Sequence, residues 1–179
     1  MSSPRRSFIR VAAVLSLFAA FAAEAPAAPV TAEDPTIERI QALRKATWRW
    51  QRLMRVSLTP ANYRAEASPS ASFRAWVLEH WREEARNARH AGLNPPRLGS
   101  WLCIHRHEGP WKANTGNGYY GGLQMDRAFQ RAWGADLLRR KGAANRWLPI
   151  EQIWVAERAY RSGLGFRPWP NTARYCGLL

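Results

Sequence analysis

Residues 98–108 read Leu98-Gly99-Ser100-Trp101-Leu102-Cys103-Ile104-His105-Arg106-His107-Glu108, and residues 117–122 follow as Asn117-Gly118-Tyr119-Tyr120-Gly121-Gly122. In the first run Leu98, Trp101, Leu102 and His105 recur at i, i+3, i+4 and i+7, the spacing of one apolar stripe on a helix. This predicts a helix from about Leu98 to Glu108 that leaves Glu108 at the stripe's edge, half-buried. In the second run Asn117-Gly118 is a strong two-residue hairpin signal beside the β-prone Tyr119-Tyr120. Gly121-Gly122 allows another part of the chain to approach the backbone closely. Asp126 can cap a short helix ending at Gly134. Pro149 opens a further helix through Ile150, Ile153, Trp154, Val155 and Tyr160, stopped by Gly163. The expected fold class is therefore α+β, mostly helical, with one small β-hairpin.

Upstream of this segment the pattern changes. Ile37, Ile40, Leu43, Thr47, Trp50 and Met54 lie at helical spacing between Thr36 and about Val56. Phe73, Trp76, Val77, Trp81, Ala85 and Ala88 mark a second helix ending near Gly92, after punctuation at Thr59-Pro60-Ala61-Asn62 and Ser68-Pro69-Ser70. Asn94-Pro95-Pro96 closes this part. Its aromatic and basic residues read as packing and solvated faces, with no chemistry assigned. Residues 1–29 read as a signal peptide: Arg5, Arg6 and Arg10, then an apolar run from Val11 to Ala23, then the small residues Ala25, Ala27 and Ala28. That run is too short to span a bilayer, so no stable membrane span is expected once it is removed. Its head, Arg5-Arg6-Ser7-Phe8-Ile9-Arg10, resembles the twin-arginine export pattern, one of two routes left open. The organisation is then a signal peptide over 1–29, a helical extension over 30–96 and a C-terminal domain over 97–179.

The 179 residues carry a formal charge of +14, which favours polyanionic partners. Nucleic acid, anionic lipid and the carboxylates and phosphates of a cell wall all qualify on charge alone. Export argues against nucleic acid and for the wall. Cys103 and Cys176 are the two cysteines. An even count in an oxidising compartment makes a disulfide the leading reading over two free thiols.

Glu108 is the residue on which chemistry can be placed. Cleaving a glycosidic bond requires a proton delivered to a poor leaving group, and a carboxyl in apolar surroundings is the expected donor. Trp101 and Trp111 supply such surroundings in the sequence. Taken alone, a Glu at a helix end is as easily a surface carboxylate or an ion-pair partner. His105, His107 and Glu108 do not make a zinc-protease pattern, because Trp111 stands where the second His would be needed. Neither metal nor cofactor is expected.

The blocks His107-Glu108-Gly109-Pro110-Trp111 and Asn114-Thr115-Gly116-Asn117-Gly118-Tyr119-Tyr120-Gly121-Gly122-Leu123-Gln124-Met125 are very similar to the resuscitation-promoting factors and related transglycosylase-like domains. Val155-Ala156-Glu157-Arg158 and the closing Trp169-Pro170 also resemble that family. Similarity thus runs discontinuously from about Trp101 to Gly177 and leaves the two-helix extension uncovered. The resemblance implies a lysozyme-like domain in which Glu108 protonates the bond between N-acetylmuramic acid and N-acetylglucosamine while the hairpin lines a sugar groove. It implies a secreted, wall-associated protein whose partners are peptidoglycan glycan strands and, as an open addition, other wall enzymes. Carried over by motif, Gln124, Thr115 and Asn114 are the candidate hydrogen-bonding groups for sugar and acetamide. Trp111, Tyr119 and Tyr120 are candidate faces for sugar rings, with one tyrosine expected in the core because adjacent strand residues face opposite ways. Asp126 is the candidate second carboxylate, although capping a helix already accounts for it, and Glu157 is expected to pair with an arginine.

The chain departs from the family pattern around the acid. The family commonly has a cysteine immediately before the catalytic Glu; here His107 stands there and Cys103 lies one turn earlier. The second cysteine is also displaced, since Cys176 follows Trp169-Pro170 by several residues, so both ends of a bridge can have moved together. A Ser or Thr that family members can carry shortly after the Leu-Gln pair is missing from Asp126-Arg127-Ala128-Phe129. Hydrolysis usually recruits a second carboxylate, whereas a lytic transglycosylase uses the C6 hydroxyl of the muramic acid itself, so the reaction class stays open between the two. A non-catalytic wall-binding or signalling module is the competing reading.

Overall fold

The computed structural model describes residues 34–179, and the signal-peptide reading of 1–29 lies outside them. The chain runs α1 (Pro35–Met54), α2 (Tyr63–Glu66), α3 (Ala71–Leu93), α4 (Leu98–Glu108), β1 (Tyr119–Tyr120), β2 (Met125–Asp126), α5 (Arg127–Lys141), α6 (Pro149–Ala159) and α7 (Pro170–Tyr175). A 3-10 turn over Ala144–Arg146 precedes α6, and one wide turn of π type over Tyr160–Leu164 ends it. This is the mostly helical α+β class that the periodicity predicts.

The helix boundaries follow their local chemistry. Asp34 accepts the Thr36 amide at 2.8 Å and Pro35 occupies the first position of α1, where a missing N–H costs nothing. Ser70 caps α3 through the Phe73 amide. Asp126 caps α5, its Oδ1 accepting the Phe129 amide at 2.6 Å. Gly134 does not end α5, as its sequence position suggests. The helix kinks there, with φ −128°, and continues to Lys141. A Cβ on Gly134 would lie 2.6 Å from the Trp147 ring, so the glycine is there to admit the indole.

The hairpin is also built differently from the sequence expectation. Tyr119 pairs with Asp126 and Tyr120 with Met125 in an antiparallel ladder, and the reversal between them runs through Gly121–Gln124. Asn117-Gly118 sits one loop earlier, between Asn114 and Tyr120, which share a single bridge. The Asn-Gly signal marks a real reversal of the chain, but the two-strand ladder forms on the next one.

Two apolar clusters hold the structure. The larger gathers Trp101 and Ile104 from α4, Leu123 and Met125 from the hairpin, Leu137 from α5, and Ile153, Val155 and Ala156 from α6, with Trp147, Phe166, Trp169 and Ala173 closing it. The smaller joins Ile40 of α1 to Val77 and Trp81 of α3. The α1–α3 pair is tied to the rest by specific contacts. The Trp154 indole donates to the Gly92 carbonyl at 2.7 Å, and Gly92 is close enough to Trp50 that any Cβ there would overlap the ring.

Two arginines are buried, and one of them, Arg44, lies in the extension whose basic residues read as solvated faces. Arg44 pairs with Glu66 beneath α2. Arg158 donates to the Leu53 carbonyl of α1 at 2.7 Å and to the Trp133 carbonyl of α5 at 2.8 Å. Burial, reinforced by the like charge of Arg55, pushes the Arg158 guanidinium down to about 10, with Asp136 opposing. Arg158→Met is expected to destabilise the fold by about 2–4 kcal/mol, because it strands two carbonyls in a space water reaches poorly. Urea unfolding checks this, and a loss below about 1 kcal/mol sets aside Arg158 as the tie between α1 and α6.

Candidate functional site

Glu108 is the last residue of α4 and is half-buried, but the buried face of the helix is Trp101 and Ile104, and Leu102 of the expected stripe is exposed. Its Oε1 accepts a hydrogen bond from the Thr172 hydroxyl of α7. Trp101, two turns back on the same helix, is fully buried, and its indole N–H donates to Glu157 at 2.9 Å. Glu157 also accepts from the Arg97 amide and guanidinium, at 3.2 and 2.6 Å, which makes it the ion-pair residue the sequence suggests. Trp111 is packed against the core with its ring stacked on His105, centroids 3.7 Å apart.

The turn between β1 and β2 brings its Gln beside the acid. Gln124 has φ +45°, a left-handed conformation that costs a non-glycine residue about 1–3 kcal/mol and that tends to occur where function demands it. Its amide Nε2 donates to the Gly121 carbonyl at 2.8 Å and lies 3.8 Å from where a Cβ would stand on Gly109, the residue after Glu108. Gln124, Tyr119, Met125, Asp126, Phe129, Pro168 and Trp169 line a groove of about 250 Å³. Tyr119 is 47% exposed there, whereas Tyr120 is packed against the core, so the two strand neighbours divide as alternation requires. Asn114 and Thr115 stay exposed on the loop that leads into β1 and do not line this groove. The Asp126 carboxylate reaches the groove while it caps α5. A larger groove of about 600 Å³ between α1 and the α5–α6 corner shares no residue with it, and its Asp136 and Glu151 already pair with Arg140 and Lys141.

Two supports of the site have no local sequence signal. One is Gln152, fully buried on α6, whose Oε1 accepts the Gly122 amide at 2.8 Å while its Nε2 donates to the Trp111 carbonyl at 2.9 Å. It is this side chain that approaches Gly121: a Cβ there would lie 2.4 Å from Gln152 Oε1, and the residue has φ +75°. Gly121→Ala is therefore expected to cost about 1–3 kcal/mol, from overpacking and positive φ together. Thermal unfolding measures it, and an unchanged midpoint would mean that the Gln152 contact is not rigid. The other is Thr172, whose nearest hint in the sequence is its closeness to Trp169-Pro170.

Cys103 and Cys176 form a disulfide that joins α4 to the C-terminal end of α7. His107 lies against the two sulfurs and its ring meets Tyr175 at 4.1 Å, but sulfurs tied to each other offer no thiolate to a metal.

A transglycosylase-like domain family model matches residues 103–172. The match begins within α4 and ends at Thr172, so the matched segment contains Glu108, the hairpin with Gln124 and the α6 support. Among curated proteins, the resuscitation-promoting factor RpfE of Mycobacterium tuberculosis is 46% identical over 77 residues, which are 42% of this chain and 41% of that protein. RpfC of the same species is 38% identical over 91 residues, 50% of this chain and 58% of that protein. Rpf1 of Corynebacterium glutamicum is 39% identical over 70 residues, 39% of this chain and 35% of that protein. The similarity thus spans between about a third and three-fifths of these relatives.

Proposed function

We propose that this protein acts outside the cell on bacterial peptidoglycan, cutting the β-1,4 bond between N-acetylmuramic acid and N-acetylglucosamine, with Glu108 as general acid. The observation that carries the reading is a half-buried carboxylate at the end of α4 that accepts a buried hydroxyl, with the strained Gln124 turn reaching the next residue, Gly109. The names of the relatives and the transglycosylase-like match favour the same chemistry. A charge of +14 suits a glycan mesh rich in carboxylates and phosphates.

In this mechanism Glu108 gives its proton to O4 of the departing N-acetylglucosamine as the muramic acid C1–O4 bond breaks. Gln124 and Tyr119 line the groove where sugar rings would lie, while Asn114, Thr115 and Trp111 lie outside its lining and stay candidates by motif alone. Because Asp126 is engaged as a helix cap, the single-carboxyl route is favoured. The C6 hydroxyl of the muramic acid attacks C1, its proton passes to the Glu108 carboxylate, and the acid is regenerated along with a 1,6-anhydro end.

Mass spectrometry of muropeptides released from purified sacculi tests this. Anhydro-muramic ends that disappear in Glu108→Gln support the single-carboxyl route. Reducing ends would instead mean hydrolysis, with Asp126 as the base to mutate next. Binding to sacculi with no sugar released would return the protein to a wall-binding or signalling module.

A further inference from the structure

We infer that Thr172 is a positioning residue for Glu108: its hydroxyl fixes which carboxyl oxygen carries the catalytic proton. This rests on the proposed role of Glu108 as the acid. Thr172 is 8% exposed, and its Oγ1 donates to Glu108 Oε1. A hydroxyl has one hydrogen, so an Oε1 that accepts it is occupied as an acceptor. The transferable proton then belongs on Oε2, and the carboxyl plane is locked with that oxygen free. After the proton has left, the same O–H stabilises the carboxylate that remains, so the contact holds through the cycle.

Thr172 can do this because α7 is fastened at both ends. At its start, Pro170 opens the helix and the Trp169 indole donates to the Leu123 carbonyl at 2.6 Å, tying α7 to the residue just before Gln124. At its end, Cys176 is bonded to Cys103 on α4, the helix that carries Glu108. Thr172 lies one turn before Cys176, whose amide donates to the Thr172 carbonyl at 2.9 Å. A six-residue helix pinned to the hairpin at one end and to α4 at the other leaves its inward hydroxyl little freedom relative to the acid. The arrangement links the two elements of the site, since one helix refers both Glu108 and the Gln124 turn to a common frame.

The test uses the full chain with Thr172→Val, Thr172→Ala and Thr172→Ser, assayed on glycan strands and on an oligosaccharide with a nitrophenyl leaving group. Val and Ala are expected to lower kcat on glycan about 10- to 100-fold with KM nearly unchanged, and Ser to restore it to within about threefold. On the nitrophenyl substrate, whose leaving group needs little protonation, the loss in Val and Ala is expected to be much smaller, because only the transfer of the C6 hydroxyl proton to Glu108 is then affected. A purely structural role would slow both substrates equally, and that result overturns the inference. Equal glycan rates for Val, Ser and the parent overturn it too, while leaving Glu108 as the acid. No cleavage by the parent overturns this inference together with the reading of Glu108. Thermal midpoints are recorded for each variant; if Val unfolds, the comparison of Ala with Ser decides, because those two differ only in the hydroxyl oxygen.

Discussion

Replacing Glu108 with Gln is expected to slow release of sugar from peptidoglycan by about 10² to 10⁴, the range a positioned general acid contributes. The substitution is nearly isosteric, and the Gln carbonyl oxygen can still accept the Thr172 hydroxyl, so the site should keep its shape while losing the proton. Stability should change by less than about 0.5 kcal/mol and retention on sacculi should persist. That combination of a lost rate with preserved fold and binding separates a chemical role from a structural one. A rate within threefold of the parent would falsify the assignment, and Asp126, which lines the groove, would then be the next carboxylate to test. A fall in binding alongside the rate would instead point to Glu108 as a contact for the glycan.

The second large effect is on the disulfide. Cys103 and Cys176 are separated by 73 residues, and closing a loop of that length stabilises the folded state by about 4 kcal/mol on the chain-entropy account. The double substitution to Ser, or reduction of the bridge, is expected to lower the thermal midpoint by roughly 10 °C or more, as calorimetry would read. Activity should fall before the fold is lost, because the bridge anchors the end of α7 and α7 carries the hydroxyl on Glu108. If the midpoint drops and the rate below it does not, then Trp169 and the core around Ala173 suffice to hold α7. A midpoint unchanged by reduction would show that the reduced chain is already restrained without the bond.

Much of the scaffold was legible because its signals are local. The bounds of α4 follow from its helical spacing, although its buried face turned out to be Trp101 and Ile104 and not Leu102. Asp126 reads as a cap from its place before a helical run, and the division between Tyr119 and Tyr120 follows from the period of a strand. The cysteine pair was readable from count and compartment, and the two N-terminal helices from their spacing. The blocks around Glu108 and Gln124 carried the family resemblance, because a run that specific fixes a turn and a set of polar groups together.

What the sequence left undecided depends on contacts between distant residues. Asn117-Gly118 announced a turn, but pairing went to the next reversal, where Gln152 fills the space Gly121 leaves and His105 and Trp111 fill that of Gly122. Gly134 looked like a helix stop and became a kink, because the Trp147 ring needs the gap. Nothing local to Arg158 announced that α1 and α5 would turn two carbonyls toward it. The hydroxyl on Glu108 comes from 64 residues further along the chain. By itself, then, the sequence determined the longer helices and the cysteine pair, since propensity, periodicity and motif act over a few residues. Only the tertiary structure decided which groups hold Glu108 and Gln124 in place, because a buried hydrogen bond forms only where packing brings its donor and acceptor together.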